Sequence, residues 1–70
     1  MNRDEWQQQA AVILREQHDI RPLEIRYAEW RNAYMLHGYD VEAGAEYMAK
    51  AWLNRQSAAT RKHYRARART

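Results

Sequence analysis

The sequence predicts an all-α protein: a short helical hairpin or three-helix protomer that closes as a homodimeric helical bundle. Two observations give the fold class. Apolar residues recur at helical spacing in three successive segments, each preceded by a residue able to cap a helix, and nothing alternates with period two for long enough to form a strand. A third gives the assembly. The chain has 70 residues and no cysteine, and a single core of that size rarely supplies more than about 3–5 kcal/mol without a staple. With disulfides excluded, and three histidines without cysteine partners giving no zinc-finger spacing, the remaining route is a second copy that covers the apolar stripe and couples folding to assembly.

The first helix is expected over residues 3–18. Asn2 can cap it while Glu5 reaches back, and Trp6, Ala10, Ile13 and Leu14 recur at i, i+4, i+7 and i+8. A second helix is expected over residues 22–37, with Pro22 in its first turn, where a missing N–H is harmless, and Asp19 or Arg21 near the cap. Its stripe reads Leu23, Tyr27, Trp30 and Tyr34, with Ile25, Ala28 and Leu36 alongside. Gly38 is read as the left-handed stop of this helix. Asp40 then caps a third, over residues 41–56, whose stripe is Val41, Ala45, Met48 and Trp52 and whose Glu42 sits near the positive helix end. Trp6, Leu14, Leu23, Trp30, Tyr34, Met48 and Trp52 are therefore the expected core or dimer seam. Residues 1–56 form the body. The tail, 57–70, either extends the third helix or forms a short fourth one from a Ser57 cap, and its like charges predict fraying at the end.

Charge divides the chain two residues earlier. Residues 1–54 hold six Lys/Arg against nine Asp/Glu, a balance of −3, whereas residues 55–70 hold six Lys/Arg and no acid, a balance of +6. An acidic body carries a basic tail whose candidate phosphate contacts are Arg61, Lys62, Arg65, Arg67 and Arg69. No apolar run approaches the roughly 18–20 residues of a membrane span, and MNRDEWQQQ is too polar for the apolar core of a signal peptide. Cytoplasmic location is expected.

Catalysis is not expected. There is no glycine-rich phosphate loop and no cysteine nucleophile, and the lone serine, Ser57, has no histidine at a recognisable spacing. His18, His37 and His63 form no i, i+4 pair, so no metal or cofactor is expected; His37 beside Asp40 or Glu42 reads as a solvated histidine in a last helical turn. A helix-turn-helix comparison fits poorly. Tyr34 occupies the position where that motif packs a small residue, Gly44 falls on a buried apolar position, and Glu42 and Glu46 would face a polyanion. Nucleic acid could still be held by the tail, without sequence preference.

Protein binding is the stronger expectation, centred on the stretch MLHGYDVEAG. The chain uses three tryptophans and five tyrosines but no phenylalanine, aromatics whose polar handles suit surfaces that are wet when free and buried when bound. Tyr39 follows the helix stop, so it can lie on Tyr34. It also precedes the Asp40 cap, where a hydrophobic staple needs an apolar partner at the position held by Gly44. Half of its structural rationale is missing, which leaves an exposed anchor as the other reading. Tyr47 lies one position off the third stripe, at the edge of the core. Gly44 itself costs about 1 kcal/mol against alanine inside a helix, and close packing by a neighbour or simple tolerance in the second turn would account for it.

The size of the chain and the stretch RYAEWRNAYMLHGYDVEAG resemble the small anti-quorum-sensing (anti-activator) early proteins of Mu-like Pseudomonas phages. The resemblance implies a helical homodimer that binds a LuxR-type quorum-sensing activator (LasR) at its DNA-binding region, and the type IV pilus assembly ATPase (PilB), disabling both in an infected host. On that reading Tyr39 is the anchor, His37 and Asp40 fix its orientation, Arg26 and Arg31 pair with partner carboxylates along the second helix, and Tyr47 lies beside them. An acidic body could complement a basic DNA-reading surface.

Overall fold

The computed structural model describes the backbone of residues 1–68 and the side chains of residues 1–63. It is all-helical: α1 (Arg3–Gln17), a single 3₁₀ turn (Pro22–Glu24), α2 (Tyr27–His37), α3 (Val41–Asn54) and α4 (Ala58–Ala68). The expected fraying of the last residues lies outside the described residues.

The caps are local in origin. Asn2 Oδ1 accepts from the Glu5 N–H at 2.9 Å and Asp40 Oδ1 from the Ala43 N–H at 3.1 Å, each satisfying one of the donors that a helix start leaves open. Ser57 Oγ accepts from the Thr60 N–H at 3.3 Å, so the tail forms its own helix, α4, rather than extending α3. At the other end of α1, Asp19 adopts a left-handed conformation (φ 55°), and the His18 and Ile20 N–H groups both donate to the Leu14 carbonyl. Aspartate is among the few residues that enter that region at modest cost. The turn carries Ile20 back into the core.

The central element is α3. It buries Gly44, Ala45, Met48, Ala49 and Trp52, a stripe wide enough to receive α1 on one flank and α2 on the other. Against it α1 buries Trp6, Ala10 and Leu14, one per turn. Small side chains on α3 let a large one approach closely: a Cβ built on Gly44 would stand 2.3 Å from Trp6 Cζ2 and 2.7 Å from Cη2. Gly44 is therefore the floor under the Trp6 indole, a reason that outweighs its low helix propensity.

The second helix differs from expectation. It begins at Tyr27 rather than residue 22, because Ile25 and Arg26 are extended (ψ 131° and 151°) and Ile25 turns into the core. The Glu29 carboxylate then accepts from the Arg26 N–H at 2.9 Å and restarts the helix. That break shifts the register. Leu23, expected in the core or dimer seam, lies outside the core of the single chain at 96% exposed, and Tyr27 is exposed as well. The inward face of α2 is centred on buried Ala33, with Trp30 and Tyr34 half-buried beside it. Trp6, Leu14, Met48 and Trp52 are buried within the single chain.

One ion pair holds the far end of the body. Arg55, counted by charge alone with the tail, closes α3 and reaches Glu29 with two nitrogens, Nη2–Oε1 at 2.6 Å and Nε–Oε2 at 3.2 Å, while Nη2 also donates to the Glu24 carbonyl. The two side chains are 24% and 15% exposed. Burial acts to raise the Glu29 carboxyl, but hydrogen bonds from Arg55 and from the Arg26 N–H, with the charges of both arginines, outweigh it and hold the group below its ordinary value. A fork-to-fork pair of this kind fixes geometry as well as adding energy.

Candidate functional site

The α2–α3 corner is held by two hydrogen bonds, one from the main chain and one from a side chain, that converge on one carbonyl oxygen. The His37 carbonyl accepts from the Asp40 N–H at 2.9 Å and from the Trp6 indole N–H at 3.2 Å, so the core tryptophan ties α1 to the end of α2. The Asp40 carbonyl in turn accepts from the Gly44 N–H at 3.0 Å. Gly38 is not left-handed as expected; its φ and ψ are −61° and −18°, a continuation of the helical region. Glycine is needed there for a different reason. A Cβ would lie 2.8 Å from the Tyr34 carbonyl oxygen.

Tyr39 projects from this corner and is 87% exposed. It does not lie on Tyr34, whose ring is engaged elsewhere: Trp6 meets it edge-on at 5.3 Å and the Arg3 guanidinium stands 6.0 Å from its centroid. The nearest aromatic is His37, 6.4 Å away and tilted by 51°, and His37 in turn lies 6.0 Å from half-buried Tyr47. His37 Nδ1 is buried and, among the described residues, has no hydrogen-bond partner. His37, expected as a solvated histidine, is thus half-buried and lies between the two tyrosines.

Of the residues nominated from sequence, His37, Tyr39, Asp40 and Tyr47 meet at the corner. Arg26 and Arg31 do not. Arg26 precedes α2, roughly 16 Å from the corner at 1.5 Å per residue over eleven residues, and Arg31 is exposed midway along the helix. Met35, which sequence reasoning missed, is exposed one turn before Tyr39, and Leu36, placed beside the inward stripe, is exposed too. Their signal was available, since both lie off the inward positions 30, 33, 34 and 37. On the other side of the corner, Asp40 and Glu42 are exposed acids at the start of α3. The site is thus an aromatic tip with an apolar flank and an acidic flank.

A concavity of about 290 Å³ lies between the end of α1 and the later half of α3, lined by Glu16, His18, Ile20, Glu46, Lys50 and Leu53 among others. Glu46 pairs with Lys50 at 3.1 Å. Burial pushes His18 below its ordinary value, and the Glu46 charge opposes this without reversing it. No group of three His, Cys, Asp or Glu able to hold a metal occurs among the described residues, and no described helix is long and apolar enough to cross a membrane.

Compared with known proteins, the chain matches no family model, curated sequence or solved structure. What the fold and site define is a class: a small all-α protein with a hydrogen-bonded corner that presents one exposed aromatic side chain.

Proposed function

We propose that this protein is a non-enzymatic, phage-encoded inhibitor that binds host proteins and occludes them with its Tyr39 corner. The observation that carries the reading is the exposure of Tyr39 on a hydrogen-bonded corner. With the corner's backbone already hydrogen-bonded, docking costs little backbone ordering, and a tyrosine has few torsions to fix, which suits an interface hot spot. Met35 and Leu36 extend the apolar contact, while Asp40 and Glu42 suit a basic partner surface. The resemblance nominates the DNA-binding region of a LuxR-type activator and a pilus assembly ATPase as partners, in the host cytoplasm. The same reading includes a homodimer, for which Leu23 of the 3₁₀ turn and Tyr27 at the start of α2, both exposed, are the proposed contact.

Titration of purified activator and purified pilus ATPase with the wild-type protein and Tyr39→Ala tests this. The variant is expected to keep its helicity and melting temperature and to lose about 2 kcal/mol of binding, roughly 30-fold in Kd. Equal affinity of variant and wild type would remove Tyr39 as the anchor. Absence of binding by the wild type at micromolar concentrations would remove the nominated partners.

A further inference from the structure

We propose that α4 is a nucleic-acid-binding arm that engages the phosphodiester backbone of duplex DNA without reading its sequence. The partner is chosen by charge. Every one of the nine Asp/Glu lies at or before Glu46, so α4 and the residues after it contain no acid. The structure also separates this arm from the cation that does not belong to it. Arg55 is committed to Glu29 and Glu24 within the body, which leaves Arg61, Lys62, Arg65, Arg67 and Arg69. Among the described residues neither Arg61 nor Lys62 forms an ion pair, and Lys62 is exposed.

The arm is a defined element. Its Ser57 cap starts a new helix after the break at Arg55–Gln56, and the neighbour it packs on is α3. Arg61 and Arg65 lie four residues apart within α4, a spacing at which like charges on a helix repel one another. A polyanion relieves that repulsion. A bilayer suits the arm less well, because its only apolar residues are alanines and Tyr64, too little for an interfacial helix. The arm also lies at the opposite end of α3 from the Tyr39 corner, roughly 21 Å away at 1.5 Å per residue over fourteen residues. The two surfaces can be occupied independently.

Fluorescence anisotropy of a labelled 20-base-pair DNA duplex, titrated with the full chain across a salt series, tests the assignment. Expected are a Kd in the micromolar range near physiological salt and a slope of log K against log salt of about −4.5, set by five released cations. Arg61→Ala combined with Lys62→Ala should reduce the slope by about 2 and weaken binding more than tenfold at low salt. Alanine keeps the helix, so unchanged circular dichroism will show that only charge was removed. Tyr39→Ala should bind the duplex like wild type. The proposal is overturned if the duplex is not bound at 50 mM salt, or if the double variant retains the wild-type slope. It is equally overturned if poly-L-glutamate of matched charge displaces the chain as well as unlabelled duplex does, which would assign the arm to an acidic protein surface.

Discussion

Gly44→Ala sets a propensity gain against a steric loss at one position. Inside a helix, alanine is favoured over glycine by about 1 kcal/mol, so an open site would be stabilised. Here the new Cβ would stand 2.3 Å and 2.7 Å from two Trp6 ring atoms, where carbon atoms prefer about 3.5–4.0 Å. The ring cannot slide freely. Its indole N–H is bonded to the His37 carbonyl, its ring is in a T-shaped contact with Tyr34, and the side chain is 1% exposed. Overpacking of this kind costs about 3 kcal/mol at the upper end, which after the propensity gain leaves a net loss of about 2 kcal/mol. For a domain of this size that lowers the melting temperature by about 8–16 °C. Circular dichroism melting and urea denaturation give the value directly. The double variant Gly44→Ala/Trp6→Leu closes a mutant cycle, in which the Gly44→Ala penalty should vanish once the indole is gone. A Gly44→Ala variant as stable as wild type, or more so, refutes the view that the glycine is there for Trp6.

Further outcomes follow from the ion pair, the half-buried histidine and the exposed end of α2. Arg55→Ala leaves Glu29 partly buried without its partner and should cost about 1–3 kcal/mol in urea denaturation, more than either exposed pair, Arg21–Glu24 or Glu46–Lys50. Because Glu29 is held below its ordinary value of 4.5, the folded chain binds its proton less readily than the unfolded one. The associated stability is present above pH 4.5 and is lost as the pH falls through the lower folded value; Glu29→Gln should flatten that part of the stability profile. His18 is also held below its ordinary value of 6.5, here because burial disfavours the cation. Stability should therefore decline as the pH falls from about 6.5 toward the folded value, and His18→Gln should remove that slope while leaving the Glu29 region intact. Leu23→Glu tests the proposed dimer: light scattering coupled to size exclusion should show a loss of dimer with little change in the core, and an unchanged dimer mass would move the seam elsewhere.

Caps were the most legible features of the sequence. Asn2, Asp40 and Ser57 each act on donors three residues away, so the chemistry that starts α1, α3 and α4 is written within a single turn. The wide stripe of α3 was legible for the same reason, as periodicity survives without knowledge of the partner. The start of α2 was not. Pro22 does open a helical turn, but burying Ile25 requires an extended link that local propensity does not encode, and the displaced register then exposes Leu23 and Tyr27. Long-range pairings were equally hidden. Nothing near Gly44 names Trp6, thirty-eight positions earlier, and nothing in a basic run distinguishes Arg55, which pairs across the body, from Arg61. For the corner, exposure of Tyr39 was one of two readings left open, and the reason given for it changes. Gly44 lacks a side chain because the indole occupies the space, so the absent staple partner reflects core packing.

The bond from the Trp6 indole to the His37 carbonyl makes the first turn of the chain a remote part of the Tyr39 corner. A change that only loosens α1, such as a bulky fusion placed against Asn2, can tilt the corner while every residue around Tyr39 stays intact. Loss of binding after an N-terminal alteration is then a defect of aim, and the NMR resonance of the Trp6 indole N–H gives a way to recognise it, since it reports whether that N–H still has an acceptor.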